Sequence, residues 1–283
     1  MPRPSHRIPY EIFGCRVPSN RELAAFKLEL TSRAKERYCP FTNKTCKKKH
    51  RTNGSQVFGV CSVIYGQEKV IICPERFNRE KVLHDVAKSY FPKDTKKVIR
   101  FDEVAIAFFN DVQLKADHVL ANETDLRNFI AVEIVAVDTT STGKLYLAYK
   151  DAVIRGSYSS SKYGFGINWG NVIKRTIPQL IIKGAQLAAL DKQTYVIIQR
   201  PTFEKIKTWL PSLSEERKGE VIFWVYDYNE NGTTLELVEV ISVSPQTLAE
   251  KLAQPKGRID LQSLVKKFEQ KLKTAPRIQL EDS

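Results

Sequence analysis

Two groups of residues in this 283-residue chain have the types and spacing to do chemistry: thiols near the N-terminus and carboxylates set in apolar runs further on. Cys39, Cys46, Cys61 and Cys73 fall in one lysine-rich stretch, and no cysteine follows them. Each has turn-forming or charged neighbours, as in Cys39-Pro40-Phe41, Thr45-Cys46-Lys47, Gly59-Val60-Cys61 and Cys73-Pro74-Glu75. Such neighbours suit loops that aim sulfurs at one ion, and four thiolates make a closed tetrahedral site for Zn²⁺ or Fe. The successive gaps of six, fourteen and eleven residues contain no tight Cys-x-x-Cys knuckle, so the spacing alone also fits free thiols packed as small hydrophobes. A disulfide framework fits least, because no signal peptide leads the chain and Cys15 would be left over.

The carboxylates are Asp117, in Lys115-Ala116-Asp117-His118-Val119-Leu120, and Glu133, in Ala131-Val132-Glu133-Ile134-Val135. An acid inside so apolar a run is costly unless something positive lies beside it. On adjacent strands in a suitable register the two could meet as hard oxygen ligands for Mg²⁺, with Glu103, at the head of the preceding run, in support. Either residue could instead face solvent on an amphipathic strand. His118, next to Asp117, should point to the opposite face of its strand. His84 has no visible partner and reads as a core or surface residue.

The elements that must position these groups follow from periodicity. Residues 1–19 read as a proline-rich arm, and Ser19-Asn20-Arg21-Glu22 opens a helix running to about Tyr38. A loop-rich stretch with a short strand pair, at Val57–Ile64 and Val70–Cys73, carries the cysteines. A helix through Val82, Val86 and Tyr90 stops at Pro92, and three strands follow: Glu103–Phe109, Leu114–Ala121 and Phe129–Val137. Turn signals at Asn110-Asp111 and Asn122-Glu123-Thr124-Asp125 make them an antiparallel meander. Thr139 to Gly170, dense in Gly, Ser and Tyr, reads as irregular; a helix spans about 171–190 with Pro178 as a kink. Strands at 195–199, 220–228 and 234–243 and a short tail helix, Leu261–Leu272, complete the pattern. The fold class is α/β (α+β), with a mixed sheet flanked by helices. Three stretches are expected: 1–78 with the cysteines, 79–245 as the core and 246–283 as a tail.

A formal charge of +13 points to nucleic acid as the partner, through phosphate contacts. Lys44, Lys47, Lys48, Lys49, His50 and Arg51 form one basic run, and Lys93, Lys96, Lys97 and Arg100 another; neither lies on an amphipathic helix suited to a membrane surface. No apolar run approaches the ~20 residues of a membrane span, and without a leader the chain is expected in the cytoplasm.

A carboxylate, a gap, then Glu-x-Lys or a variant on the next strand, in the order helix, meander, helix, strand, resembles the PD-(D/E)xK nuclease pattern. More narrowly the chain resembles the NotI restriction endonuclease family. The resemblance is carried by Cys39-Pro40-Phe41-Thr42, Gly59-Val60-Cys61-Ser62, Ile72-Cys73-Pro74-Glu75-Arg76-Phe77, Ala131-Val132-Glu133 with Asp138-Thr139-Thr140, and Gly166-Ile167-Asn168-Trp169 through Lys174-Arg175 and Gln179. It implies one structural Fe or Zn ion on the four cysteines. It also implies a catalytic divalent ion on Asp117 and Glu133, with Glu103 as a supporting acid. The third motif position, Lys in the general pattern and Gln in this family, is Val135. Valine can neither position water nor stabilise charge. Gln179 and Lys183 could take that role, because four-residue spacing puts them on one helix face; equally, both could face solvent.

The expected activity is therefore site-specific, Mg²⁺-dependent cutting of double-stranded DNA by a type II restriction enzyme, with a homodimer matching a two-fold site. For recognition, the loop from Ser157 to Trp169 supplies Lys162 and Asn168, followed by Asn171, for phosphate or base edges, beside Lys47, Lys48 and Lys49. Two other readings compete: a non-catalytic, metal-stabilised DNA-binding protein, and a nuclease acting on RNA or branched DNA.

Overall fold

The computed structural model describes residues 6–48, 57–109, 112–210, 219–254, 260–272, 274 and 276. Strand β1 (Arg7–Ile12) comes first, then helix α1 (Asn20–Glu36) and the hairpin β2 (Val60–Tyr65) and β3 (Glu68–Ile71). A 3₁₀ turn at Pro74–Glu80 leads to α2 (Val82–Tyr90) and the meander β4 (Val98–Phe109), β5 (Val112–Asn122) and β6 (Asp125–Val135). Next come α3 (Thr142–Lys150), α4 (Ile177–Ala188), β7 (Thr194–Gln199) and α5 (Arg200–Trp209). The chain continues through β8 (Val221–Tyr228), β9 (Leu235–Val243), α6 (Pro245–Ala253) and α7 (Leu261–Lys271).

The architecture is mixed α+β. Six strands form one sheet in the order β9-β8-β7-β6-β5-β4. The meander strands pair antiparallel, β7 runs parallel to both β6 and β8, and β9 closes the far edge antiparallel. Strand periodicity sorts its side chains to two faces. Val135, Val196, Ile198, Phe223 and Val225 join a large core with Ile177 and Leu180 of α4, whereas Ile130, Val132, Ile197, Trp224 and Tyr226 pack with Val82 and Val86 of α2. The first of these cores also contains Ile8, Leu23, Phe58 and Leu248, so it runs across both expected domain boundaries. Among the described residues no helix is long and apolar enough to cross a membrane.

Three expectations are corrected. Part of the N-terminal arm is β1, buried along its whole length and paired with β2; its Pro9 is accommodated where the ladder shifts register, since proline in a strand is tolerated at bulges. The segment taken as irregular contains α3, whose Leu145 and Ala148, followed by Ala152 in the π-helical turn Asp151–Arg155, are fully buried at helical spacing despite the surrounding Gly and Ser. The helix expected over 171–190 is helical without a break from 169 to 188 but not uniformly α: a π-helical turn, Val172–Thr176, falls just before Pro178. The turn expected at Asn110-Asp111 lies outside the described residues.

Candidate active site

Glu133 lies near the end of β6, a strand covered on both faces, and is only 8% exposed. β5 pairs with β6 through His118 and Val132, which places Asp117 opposite Glu133. There the backbone ladder stops. The next N–H of β6, on Ile134, is taken by the Asp117 side chain, whose Oδ2 accepts it at 2.7 Å. A carboxylate thus replaces a backbone carbonyl as the partner of that N–H, and it comes beside Glu133 by doing so.

The third member arrives from α4. Lys183 Nζ lies 2.8 Å from Glu133 Oε1, and Lys183 is itself 3% exposed. The helix is held for this contact at two further points. Gln186, three residues on, pairs its amide with the backbone of Phe108 on β4, accepting from N at 2.9 Å and donating to O at 2.6 Å. Leu187 packs on Ala116, Val119 and Ala131. Gly184 lets α4 come this near, because a Cβ there would stand 2.7 Å from Val221 Cγ2 and 3.1 Å from Pro245 Cγ.

Burial pushes the Glu133 carboxyl up to about 7; Lys183 pulls it down and Asp117 pushes it further up. A carboxyl perturbed by burial beside a specific charge partner marks Glu133 as a candidate functional group. Asp117 Oδ1 and Glu133 Oε2 carry no hydrogen bond among the described residues, leaving one hard oxygen from each acid. That donor set fits Mg²⁺, which keeps several waters and takes one or two carboxylates.

The other expected residues are placed as follows. Glu103 lies opposite Asp117 on β4, by the register of Asp102 with His118 and Val104 with Ala116; it is exposed and adopts a positive φ of 53°. Gln179 is exposed on α4, one turn before Lys183. Val135 is buried against the core beside Ile198, and the cation in contact with Glu133 is Lys183. His118 pairs with Asp102 at 2.7 Å. Lys47 and Lys162 are exposed and Lys48 is half-buried near the thiols, while Lys49 lies outside the described residues. Asn168 donates its N–H to Asp138 O at 2.8 Å, and the Asn171 amide approaches Asp138 Oδ2 at 3.5 Å. Gln186 was missed by sequence reasoning, although its three-residue step from Lys183 was a signal.

A family model, restriction endonuclease NotI, matches residues 24–237, most of the chain. The chain belongs to the NotI restriction endonuclease family. Membership makes it an enzyme, a type II site-specific deoxyribonuclease, and makes DNA its partner. No curated protein matches the chain. The match of this NotI-family chain takes in α4, so Lys183 and Gln186 lie inside it together with Asp117 and Glu133.

The four cysteines of this NotI-family enzyme come together from separate short strands and the loops beside them. Cys39, Cys61 and Cys73 are buried around Phe41, with Cys46 at the edge of the cluster. Cys73 N and Ile72 N both donate to Cys61 O, and Gly14 N donates to Cys61 Sγ at 3.4 Å. Burial raises the thiols of Cys46, Cys61 and Cys73, which keeps them protonated in the absence of a cation. Among the described residues no group of three or more His, Cys, Asp or Glu side chains is arranged to hold a metal ion. The thiols are neighbours, but not a closed ligand set.

Proposed function

We propose that this enzyme hydrolyses phosphodiester bonds of duplex DNA at a Mg²⁺ held by Asp117 and Glu133, with Lys183 as the cation beside the reacting phosphate. The observation that carries the reading is the convergence of the three groups where the β5–β6 ladder stops. It agrees with a PD-(D/E)xK core made of α2, the meander, α4 and β7. When bound, the ion would supply an activated water and offset charge on the scissile phosphate. Asp117 is held in place by the Ile134 N–H and Glu133 by Lys183. Lys183 has hydrogens beyond the one given to Glu133, and these would meet the charge that grows on phosphate oxygens. Glu103 and Gln179 are exposed near this set and would touch the substrate's flank. In the same reading a cytoplasmic homodimer meets a two-fold site, with residues 79–245 cutting and 1–78 gripping.

The test is direct. Long duplex DNA incubated with the protein is expected to give discrete fragments with Mg²⁺ and none with chelator. DNA left whole in Mg²⁺ but retarded on a gel would show a binder that does not cut.

The structural Fe or Zn ion is a second part of the proposal. It is supported by the gathering of four thiols and by the Gly14 N–H aimed at a sulfur; it requires the cluster to tighten around the ion. Freshly purified protein is expected to contain about one Fe or Zn per chain, since a closed four-thiolate site takes a single ion. Cys61→Ser should lose the ion and lower Tm, because such a site contributes folding free energy. Metal-free protein whose Tm is indifferent to chelator would leave the cysteines as apolar packing.

A further inference from the structure

A cleft of about 660 Å³ opens between α3, the π-helical turn after it and the loop through Gly164. Lys144, Lys150, Arg155 and Lys162 line it against one carboxylate, Asp151. That acid is satisfied from within: Ser159 donates to it from both N, at 3.2 Å, and Oγ, at 2.6 Å, Tyr163 donates at 2.5 Å, and Arg155 pairs with it at 2.9 Å. Its charge is spent on holding the walls, and the cations remain in excess. Among the described residues neither Lys144 nor Lys162 has an ion-pair partner.

The walls are fixed. Arg7, buried in β1, donates from N to Ser161 O at 2.8 Å and from Nη1 to Phe165 O at 2.6 Å, pinning the loop on both sides of Lys162. Thr31 of α1 donates to Val153 O at 2.8 Å, and Lys150 Nζ rests over the Tyr146 ring at 5.0 Å. Lys144 and Lys150 are six residues apart on a helix, a separation of about 9 Å along its axis. A duplex carries a phosphate about every 3.4 Å along each strand, so cations spread this far meet more than one phosphate, whereas a single small anion could engage only part of them.

We propose that this cleft seats the sugar-phosphate backbone of duplex DNA, with Lys144, Lys150 and Lys162 contacting phosphates. The inference rests on the nuclease reading and adds to it a binding surface on elements that carry neither Asp117 nor Glu133. Phosphate contacts set register and orientation without reading sequence. The cleft is therefore a positioning surface.

The experiment measures affinity for a duplex oligonucleotide in chelator over a series of salt concentrations, for the parent protein, Lys144→Ala/Lys162→Ala and Lys144→Arg/Lys162→Arg. Both lysines are exposed, and an unchanged Tm confirms that the variants fold. The Ala pair should bind more weakly to cognate and unrelated duplexes alike, with a slope of log affinity against log salt shallower by about 2, one for each lost phosphate contact. The Arg pair should retain the parent slope. An Ala pair with parent affinity and slope, in a protein that binds and cuts DNA, overturns the cleft assignment alone. A parent protein that neither binds nor cuts DNA overturns the nuclease reading and this one together.

Discussion

Glu133→Ala is expected to cut duplex DNA at least roughly 10³-fold more slowly than the parent protein, a barrier increase of about 4 kcal/mol. Binding in chelator should be nearly unchanged. The acid is one of two that would hold the ion, and its loss also leaves Lys183, 3% exposed, without its carboxylate. Lys183→Ala should slow cutting on the order of 10²–10³-fold, the range for removing one preorganised donor at a developing charge, and Lys183→Arg should recover part of it. A Glu133→Ala protein that folds and cuts at the parent rate would end the assignment.

The pH profile separates Lys183 as a partner of Glu133 from Lys183 as a mere core cation. In the proposed site Glu133 would hold the ion as carboxylate, and burial puts that carboxyl near 7. At subsaturating Mg²⁺ cutting should therefore fall as pH drops through about 7 and level off above it. Because Lys183 pulls the Glu133 carboxyl down, its removal must move the rise to higher pH. A Lys183→Ala profile with its midpoint unmoved would show that the 2.8 Å contact does not govern the acid.

Glu133 was legible in sequence for a physical reason: a carboxylate inside a strand that packs on both faces must be compensated. Asp117 is exposed, and was legible because the meander order put it on the neighbouring strand. Lys183 was legible only as one of two ways to fill the hole at Val135. Helical spacing put Gln179 and Lys183 on one face, and only the depth at which α4 packs, set by Gly184 and Leu187, separates the buried lysine from the exposed glutamine. The details of the β5–β6 junction were not legible, since a side chain capping Ile134 N–H depends on where a ladder ends. β1 was hidden by Pro9, and α3 by the Gly and Ser around a buried stripe whose partners lie on α1 and β1. The cleft cations were invisible as a group because they come from a helix, a turn and a loop.

Arg76→Met is expected to cost about 3–5 kcal/mol, as breaking a buried ion pair does, and to lower Tm by roughly 10 °C for a chain of this size. Arg76 is fully buried and its Nε donates to both oxygens of Glu11 at 3.0 Å. The same carboxylate accepts from Ser62 Oγ and Tyr228 Oη, each at 2.8 Å, and Arg76 also donates to Thr233 O at 3.1 Å. The guanidinium lies 5.3 Å from the rings of both Phe41 and Tyr228. One ion pair therefore joins β1, β2 and the turn after Cys73 to β8 of the large sheet. Nearby, Tyr10 Oη donates to Gly232 O at 2.6 Å, where any Cβ would collide with that hydroxyl. Removing the guanidinium alone leaves Glu11 charged, with only neutral donors, in a place that excludes water. The measurement is a set of denaturation curves, for Arg76→Met, for Glu11→Leu and for the two together. The double variant removes both charges and should lose no more than the single one; if the two losses simply add, the pair is not coupled. Because Phe41 lies among the thiols, Arg76→Met should also hasten thiol modification of Cys39, Cys61 and Cys73, a local loosening that a cost spread over the whole fold would not confine to the cysteine cluster.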